Sequence, residues 1–198
     1  MSKTKPVEVI QELYNQGHRH FGENYIQELL EKAPLLPKDI HWHYIGHLQS
    51  NKVKKLVQIP NLYMVECVDS LKLATLLHTA ISKNKERTCP LKVLVQVNTS
   101  GEESKSGISP IECSSLVKSL VETCTLLDLC GLMTIGSPND TTCFQTLREC
   151  KTKIFIDNDN VANIGFNTEK HDAFELSMGM SADFETAVRL NITTVLNN

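Results

Sequence analysis

Residues Leu91-Lys92-Val93-Leu94-Val95-Gln96-Val97 form the clearest strand, apolar at five of seven positions and β-branched at most of those, with Leu94 on the face opposite Val93 and Val95. Apolar residues on both faces suit the buried strand of a parallel sheet flanked by helices. The rest of the chain obeys the same plan, short apolar runs alternating with amphipathic stretches.

Pro6 opens a helical pattern in which Val7, Ile10, Leu13 and Tyr14 share a face, with Gly17 placed to end it. An extended segment, His18 to Asn24, follows. Tyr25, Ile26, Leu29, Leu30 and Ala33 then recur at helical spacing as far as Pro34. Ile40–Gly46 reads as a strand, and Val53, Leu56 and Val57 mark a basic helix. Leu62–Glu66 is a further strand, after which Asp69 caps a helix bearing Leu73, Leu77 and Ile81. Ser109-Pro110 starts a helix with Leu116, Val117 and Leu120. Leu129–Ile135 is a strand, and a helix runs through Phe144, Leu147 and Ile154. Asp157–Asp172 is polar and without period, a loop. Phe174–Met178 reads as a strand, Ala182–Leu190 as helical turns and Thr193–Leu196 as the start of a last strand.

Strand-like segments thus end near Lys3, Asn24, Gly46, Glu66, Asn98, Gly136, Met178 and Leu196. Eight β/α units predict a TIM (β/α)8 barrel in a single domain over residues 1–198, which is just under the roughly 200 residues at which such barrels usually start. A doubly wound open sheet is the alternative, without a Gly-x-Gly-x-x-Gly turn to support a dinucleotide site. With 20 basic and 23 acidic residues there is no basic stripe for nucleic acid. No apolar run reaches the roughly 20 residues that span a bilayer, and Met-Ser-Lys-Thr-Lys-Pro has no apolar signal core. Seven cysteines, without a Cys-x-x-Cys pair, suit reduced thiols in the cytoplasm and not a cysteine zinc site.

Polar residues gather at the strand ends, the face on which barrel active sites are built. Ser177-Met178-Gly179-Met180-Ser181-Ala182-Asp183 joins a strand to a helix with two hydroxyls, a glycine and helix-start amides. Such a turn suits a phosphate dianion, and equally a plain helix cap on Ser181 or Asp183. Lys3 is a solvated lysine or, if held at the barrel mouth, an amine able to form a Schiff base. His41 and His43 share one face of a strand, as zinc ligands do, although histidines satisfied by their neighbours meet the same pattern. Lys52, Lys54 and Lys55 read as a solvated helix face. The charged loop Gly101–Gly107 follows a buried strand, where either a lid or simple exposure fits.

Six strings in order narrow this further. They are Ser2-Lys3-Thr4-Lys5-Pro6; Phe21-Gly22-Glu23-Asn24-Tyr25 with Gln27-Glu28; Trp42-His43-Tyr44-Ile45-Gly46-His47-Leu48-Gln49; Val97 to Gly107; Gly131-Leu132-Met133-Thr134-Ile135-Gly136; and Leu176 to Phe184. From about Ser2 to Val195 the chain resembles the pyridoxal phosphate homeostasis proteins (YggS/PROSC), in wording closest to their eukaryotic members.

The resemblance implies a barrel of the alanine racemase N-terminal type that holds pyridoxal 5′-phosphate, with Lys3 as the family's Schiff-base residue. It implies further that Asn24 lies beside the cofactor and that Ser177, Met178, Gly179 and Ser181 lie on the motif holding its phosphate. The family is regarded as a carrier and regulator of vitamin B6 supply without catalytic turnover, which implies a cytoplasmic monomer, with mitochondrial association left open. Its partners would be the cofactor and pyridoxal phosphate-dependent apoenzymes, with neither nucleic acid nor membrane. A racemase-like enzyme and a metal-dependent hydrolase on His41 and His43 are the rival readings.

Compared with the family, most of the first barrel strand is missing before Ser2. The chain stops at Val195-Leu196-Asn197-Asn198, with Leu196 where the family has an arginine on the pyridine ring and Asn191 at a usual glycine. The expectation is a first and a last strand cut short, a six-stranded sheet with two open edges, Lys3 on a frayed terminus and weakened cofactor binding.

Overall fold

The computed structural model describes residues 2–102, 104–137, 140–157, 173–180 and 183–189. Six strands form one sheet in chain order, β1 (His20–Glu23), β2 (His41–Tyr44), β3 (Leu62–Val68), β4 (Leu91–Gln96), β5 (Leu127–Met133) and β6 (Glu175–Ser177), and every neighbouring pair is parallel. That order decides between the two architectures. A doubly wound sheet reverses direction at a switch point, whereas a barrel adds each strand beside the last.

The sheet is curled as well as sequential. Ser177 on β6 donates to Glu66 on β3 at 2.6 Å, although β4 and β5 lie between them. Three strand spacings of about 4.8 Å make roughly 14 Å along a flat sheet, which a serine and a glutamate side chain cannot bridge unless the sheet bends. Register shifts at Trp42/His43, Val65/Val68 and Val93/Leu94 provide places for the bending.

Helices cover the outer face: α1 (Val7–Asn15), α2 (Ile26–Lys32), α3 (Val53–Leu56), α4 (Leu71–Ser82), α5 (Cys113–Thr123), α6 (Thr142–Asp157) and α7 (Phe184–Arg189). Ile10, Leu29, Leu56, Leu77, Leu120 and Leu147, one from each of the first six, are fully buried. Each such side chain contributes about 1.5–3 kcal/mol relative to exposure. Gly17 ends α1 at φ +102°, where its amide donates to Tyr14 and that of His18 to Leu13, the paired bonds of a Schellman stop.

Some sequence expectations shift. Ser70, not Asp69, caps α4, its Oγ accepting from the Leu73 amide at 3.4 Å; Asp69 instead accepts from the Ser70 hydroxyl. The strand expected at Leu129–Ile135 lies two residues earlier, because pairing starts at Leu91 with Leu127 and the chain turns away beyond Thr134. No strand is assigned at Lys3 among the described residues, yet Ser2 is docked on β1 through its amide, which donates to Gly22 O at 2.8 Å. The segment around Lys3 is therefore pinned and not frayed. Residues 158–172 and the expected strand Thr193–Leu196 lie outside the described residues, as do Leu196 and Asn191.

Candidate functional site

The C-terminal ends of the strands bring the sequence-predicted residues to one end of the sheet. Lys3 follows Ser2 beside the end of β1, partly exposed, with its amine 5.8 Å from the centre of the Tyr25 ring. That amine makes no hydrogen bond among the described residues, in contrast to two other lysines of this end. Lys32 donates to Ser2 O, Glu23 and Glu28, and Lys105 to Gly136 O, Ser137 and Glu102. An ammonium has three protons, so both are fully used.

Asn24 stands one residue past β1. Its Oδ1 is buried without a partner among the described residues, an arrangement normally found where a ligand or water completes the bond. Beside it opens a cleft of about 480 Å³ lined by Tyr25, Ile26, Tyr44, Gly46, Lys52 and Lys55 among others. A second hollow of about 210 Å³ lies over β4 and β5, among Asn98, Thr99, Lys105, Thr134 and Gly136. A further cleft, of about 870 Å³, lies between α3 and α4 and is lined by none of the residues predicted to hold the cofactor.

Met178 and Gly179 continue from β6, both buried. Gly179 has φ +87°, and a Cβ there would meet the Ala187 Cβ at 2.7 Å, so no other residue fits without displacement. Neither the Met178 nor the Gly179 amide makes a hydrogen bond among the described residues, and both remain available to an anion. The cap expected on Ser181 or Asp183 takes another form among the described residues, with Asp183 bonded to an amide upstream of the helix. Asp183 reaches back to accept from the Met180 amide at 2.6 Å, while the amides of Asp183 and Phe184 donate to Met180 O. Ser181 lies outside the described residues. The Ser177 hydroxyl is committed elsewhere, its proton on Glu66 at 2.6 Å.

Glu66 leads to a group that the sequence showed only in part. Buried on β3, it also accepts from His43 Nδ1 at 2.7 Å. His43 Nε2 meets His20 Nδ1 at 2.8 Å, and His20 Nε2 meets His41 Nδ1 at 3.2 Å. Tyr63 stacks on His41 and accepts from the Lys92 ammonium at 2.8 Å. A hydrogen-bonded chain thus crosses the concave face from Ser177 to the histidines. Burial, then the charges of His43, His41 and Lys92, pulls the His20 imidazole below its ordinary value. Among the described residues no group of three or more His, Cys, Asp or Glu side chains is arranged to hold a metal ion, and the histidines are satisfied by one another and by Glu66. Shared-face spacing revealed His41 and His43. The same spacing recurs at His18-Arg19-His20, whereas nothing local linked Glu66 to these histidines, since its partners lie on other strands.

The order of the strands and this rim define the class as a parallel β/α barrel of the alanine racemase N-terminal kind, and the family of that name, "Alanine racemase, N-terminal domain", matches residues 3–196. The pyridoxal phosphate homeostasis protein of Homo sapiens is 46% identical over 213 residues, covering 98% of this chain and 71% of that protein. Its namesake from Schizosaccharomyces pombe is 40% identical, covering 98% and 78%. Among solved structures, PipY of Synechococcus elongatus with PLP bound superposes at a TM-score of 0.79 and 29% identity, over 99% of this chain and 87% of PipY. Alanine racemase of Clostridium difficile, at 15% identity, TM-score 0.70 and coverage of 97% and 47%, shares the fold. The chain belongs to the pyridoxal phosphate homeostasis protein family. Among its described residues no helix is long and apolar enough to cross a membrane.

Proposed function

We propose that this chain binds pyridoxal 5′-phosphate at the rim between β1 and β6 and serves to hold and deliver it, without catalytic turnover. When bound, the cofactor supplies an aldehyde that a lysine amine takes up and a phosphate that hydrogen-bond donors hold. Lys3 would hold the aldehyde end, Asn24 would contact the ring side, and the amides of Met178 and Gly179 would receive the phosphate, with Ser181 the further phosphate contact that the family motif implies. The single observation that carries this reading is the amine of Lys3, without a hydrogen bond among the described residues, on a backbone pinned to β1 and next to Lys32, whose three protons are all in use. The orphaned Asn24 Oδ1 and the left-handed Gly179 fit the same group.

Ser177 fits less directly. Its proton is given to a buried carboxylate, so its part is to hold Glu66 unless the hydroxyl turns. The names of the relatives and the PLP bound in PipY support the cofactor and its homeostasis. A racemase would need a second base poised across the substrate, such as a paired tyrosine, and the sequence gives no motif for one. Delivery to apoenzymes, as a single-copy carrier, is the partner reading that goes with this role.

Titration with pyridoxal 5′-phosphate tests the proposal. A visible absorbance band should grow and saturate, and borohydride reduction should fix the cofactor on Lys3, located by peptide mass mapping. Lys3→Ala should abolish both. Label on Lys52 or Lys55, or none, would overturn the assignment, and exchange of the α-proton of an amino acid would restore the racemase reading.

A further inference from the structure

Lys3 owes its setting to residues that have no place in the proposed contact with cofactor. The Lys32 ammonium, on α2 and nearly buried, donates to Ser2 O at 3.1 Å, Glu23 Oε1 at 2.8 Å and Glu28 Oε2 at 2.7 Å. The same Glu28 oxygen accepts from the Thr4 amide at 3.0 Å. One ion pair, a single helical turn long, therefore grips both peptide groups that flank Lys3: the carbonyl before it and the N–H after it. Glu23, fully buried at the end of β1, takes the Ser2 hydroxyl at 2.8 Å and completes the grip from below.

The backbone held in this way is not one the chain would choose. Thr4 has φ +59°, the left-handed region that a β-branched residue avoids and keeps only where its surroundings over-determine it. Lys5 folds back so that its amide reaches Ser2 O at 3.0 Å, and the Thr4 hydroxyl donates to Lys3 O at 2.7 Å. Burial by itself would lower the Lys32 ammonium, but Glu23 and Glu28 together hold it above the ordinary lysine value. Glu28 is held low by Lys32 first, then by the Thr4 amide and by the charge of Lys3. Lys32 and Glu28 therefore remain an ion pair through the neutral range, close beneath the Lys3 segment.

We infer that Lys32, with Glu28 and Glu23, is the positioning device for Lys3: it fixes the strained turn that aims the Lys3 amine at the rim. This rests on the reading that Lys3 takes the cofactor. It adds that an ion pair on the neighbouring helix, touching neither cofactor nor reacting atoms, sets how fast that lysine is engaged.

The test compares the full chain with Lys32→Met, Lys32→Arg and Glu28→Gln variants. The readouts are the rate of borohydride-fixed pyridoxal 5′-phosphate on Lys3, acetic anhydride labelling of Lys3 in cofactor-free protein, hydrogen exchange over residues 2–6, and Tm. Lys32→Met should slow fixation on Lys3 about tenfold or more, as small misplacements of a reacting group do. It should also speed exchange over residues 2–6 and change the anhydride reactivity of Lys3. Lys32→Arg, still able to donate to three acceptors, should recover most of the loss, and Glu28→Gln should fall between. Leu147→Ala, a core deletion on α6, controls for stability alone and should lower Tm without altering Lys3. If Lys32→Met does not fold, Glu28→Gln decides by the same readouts. Unchanged labelling and exchange in a folded Lys32 or Glu28 variant would overturn the inference. Absence of adduct on Lys3 in the unaltered chain would instead overturn the functional reading, while exchange over residues 2–6 would still judge the grip.

Discussion

Removing the Ser177 hydroxyl is the sharpest probe of how the sheet is held in its curve. In Ser177→Ala, Glu66 Oε2 loses a donor at 2.6 Å in a site where both residues are shut off from solvent. A hydrogen bond to a charged group contributes about 1.5–3 kcal/mol, and a buried acceptor left bare costs a similar amount. The substitution should therefore destabilise by about 1.5–3 kcal/mol, which for a chain of this size is roughly 3–12 °C in Tm. Glu66→Gln keeps the shape but removes the charge that strengthens the bonds to Ser177 and His43, and should cost about 1–3 kcal/mol. The two belong to one bond, so the double variant should fall short of their sum by about 1 kcal/mol. Urea unfolding of the four proteins gives the cycle. Costs that add to within about 0.5 kcal/mol, or a Ser177→Ala variant as stable as its parent, would refute the claim that β6 is tied to β3 across the concave face.

Two further outcomes follow from the site. Asn24→Ala removes an oxygen that has no partner in the cofactor-free protein, so stability should change by less than about 0.5 kcal/mol while affinity for pyridoxal 5′-phosphate falls roughly two- to tenfold; equal loss in both would sink this account of Asn24. His20 binds its proton less readily in the fold than unfolded, so the unfolded state takes up more protons as pH falls. Stability present above about pH 6.5 should be lost as pH drops through the lowered folded value, and His20→Gln should flatten that slope in urea midpoints measured across the range.

What could be read from residue order alone was whatever repeats locally. The run at Leu91 betrayed a buried strand because five of its seven residues are apolar and most of those β-branched, and the turn at Gly179 betrayed itself through a glycine between strand and helix. Lys32 gave no such sign. On an amphipathic helix a lysine in the last turn reads as a solvated cap, and only the docking of α2 under the end of β1 shuts it in with Glu23 and Glu28. Glu66 was equally silent, since its partners His43 and Ser177 lie 23 and 111 residues away and meet it only once the sheet curves. The cap of α4 moved from Asp69 to Ser70 because two adjacent residues both suit the role and local geometry chose between them.

The order in which strands are laid down has a consequence for the newly made chain. Among the described residues each strand after β1 pairs with the one synthesised just before it, so these six can be added strand by strand as the polypeptide leaves the ribosome. The tie from Ser177 to Glu66 is the exception, as its two halves emerge 111 residues apart. Until translation has passed residue 177 the nascent sheet lacks that fastening, and its arch stays open across β3 to β6.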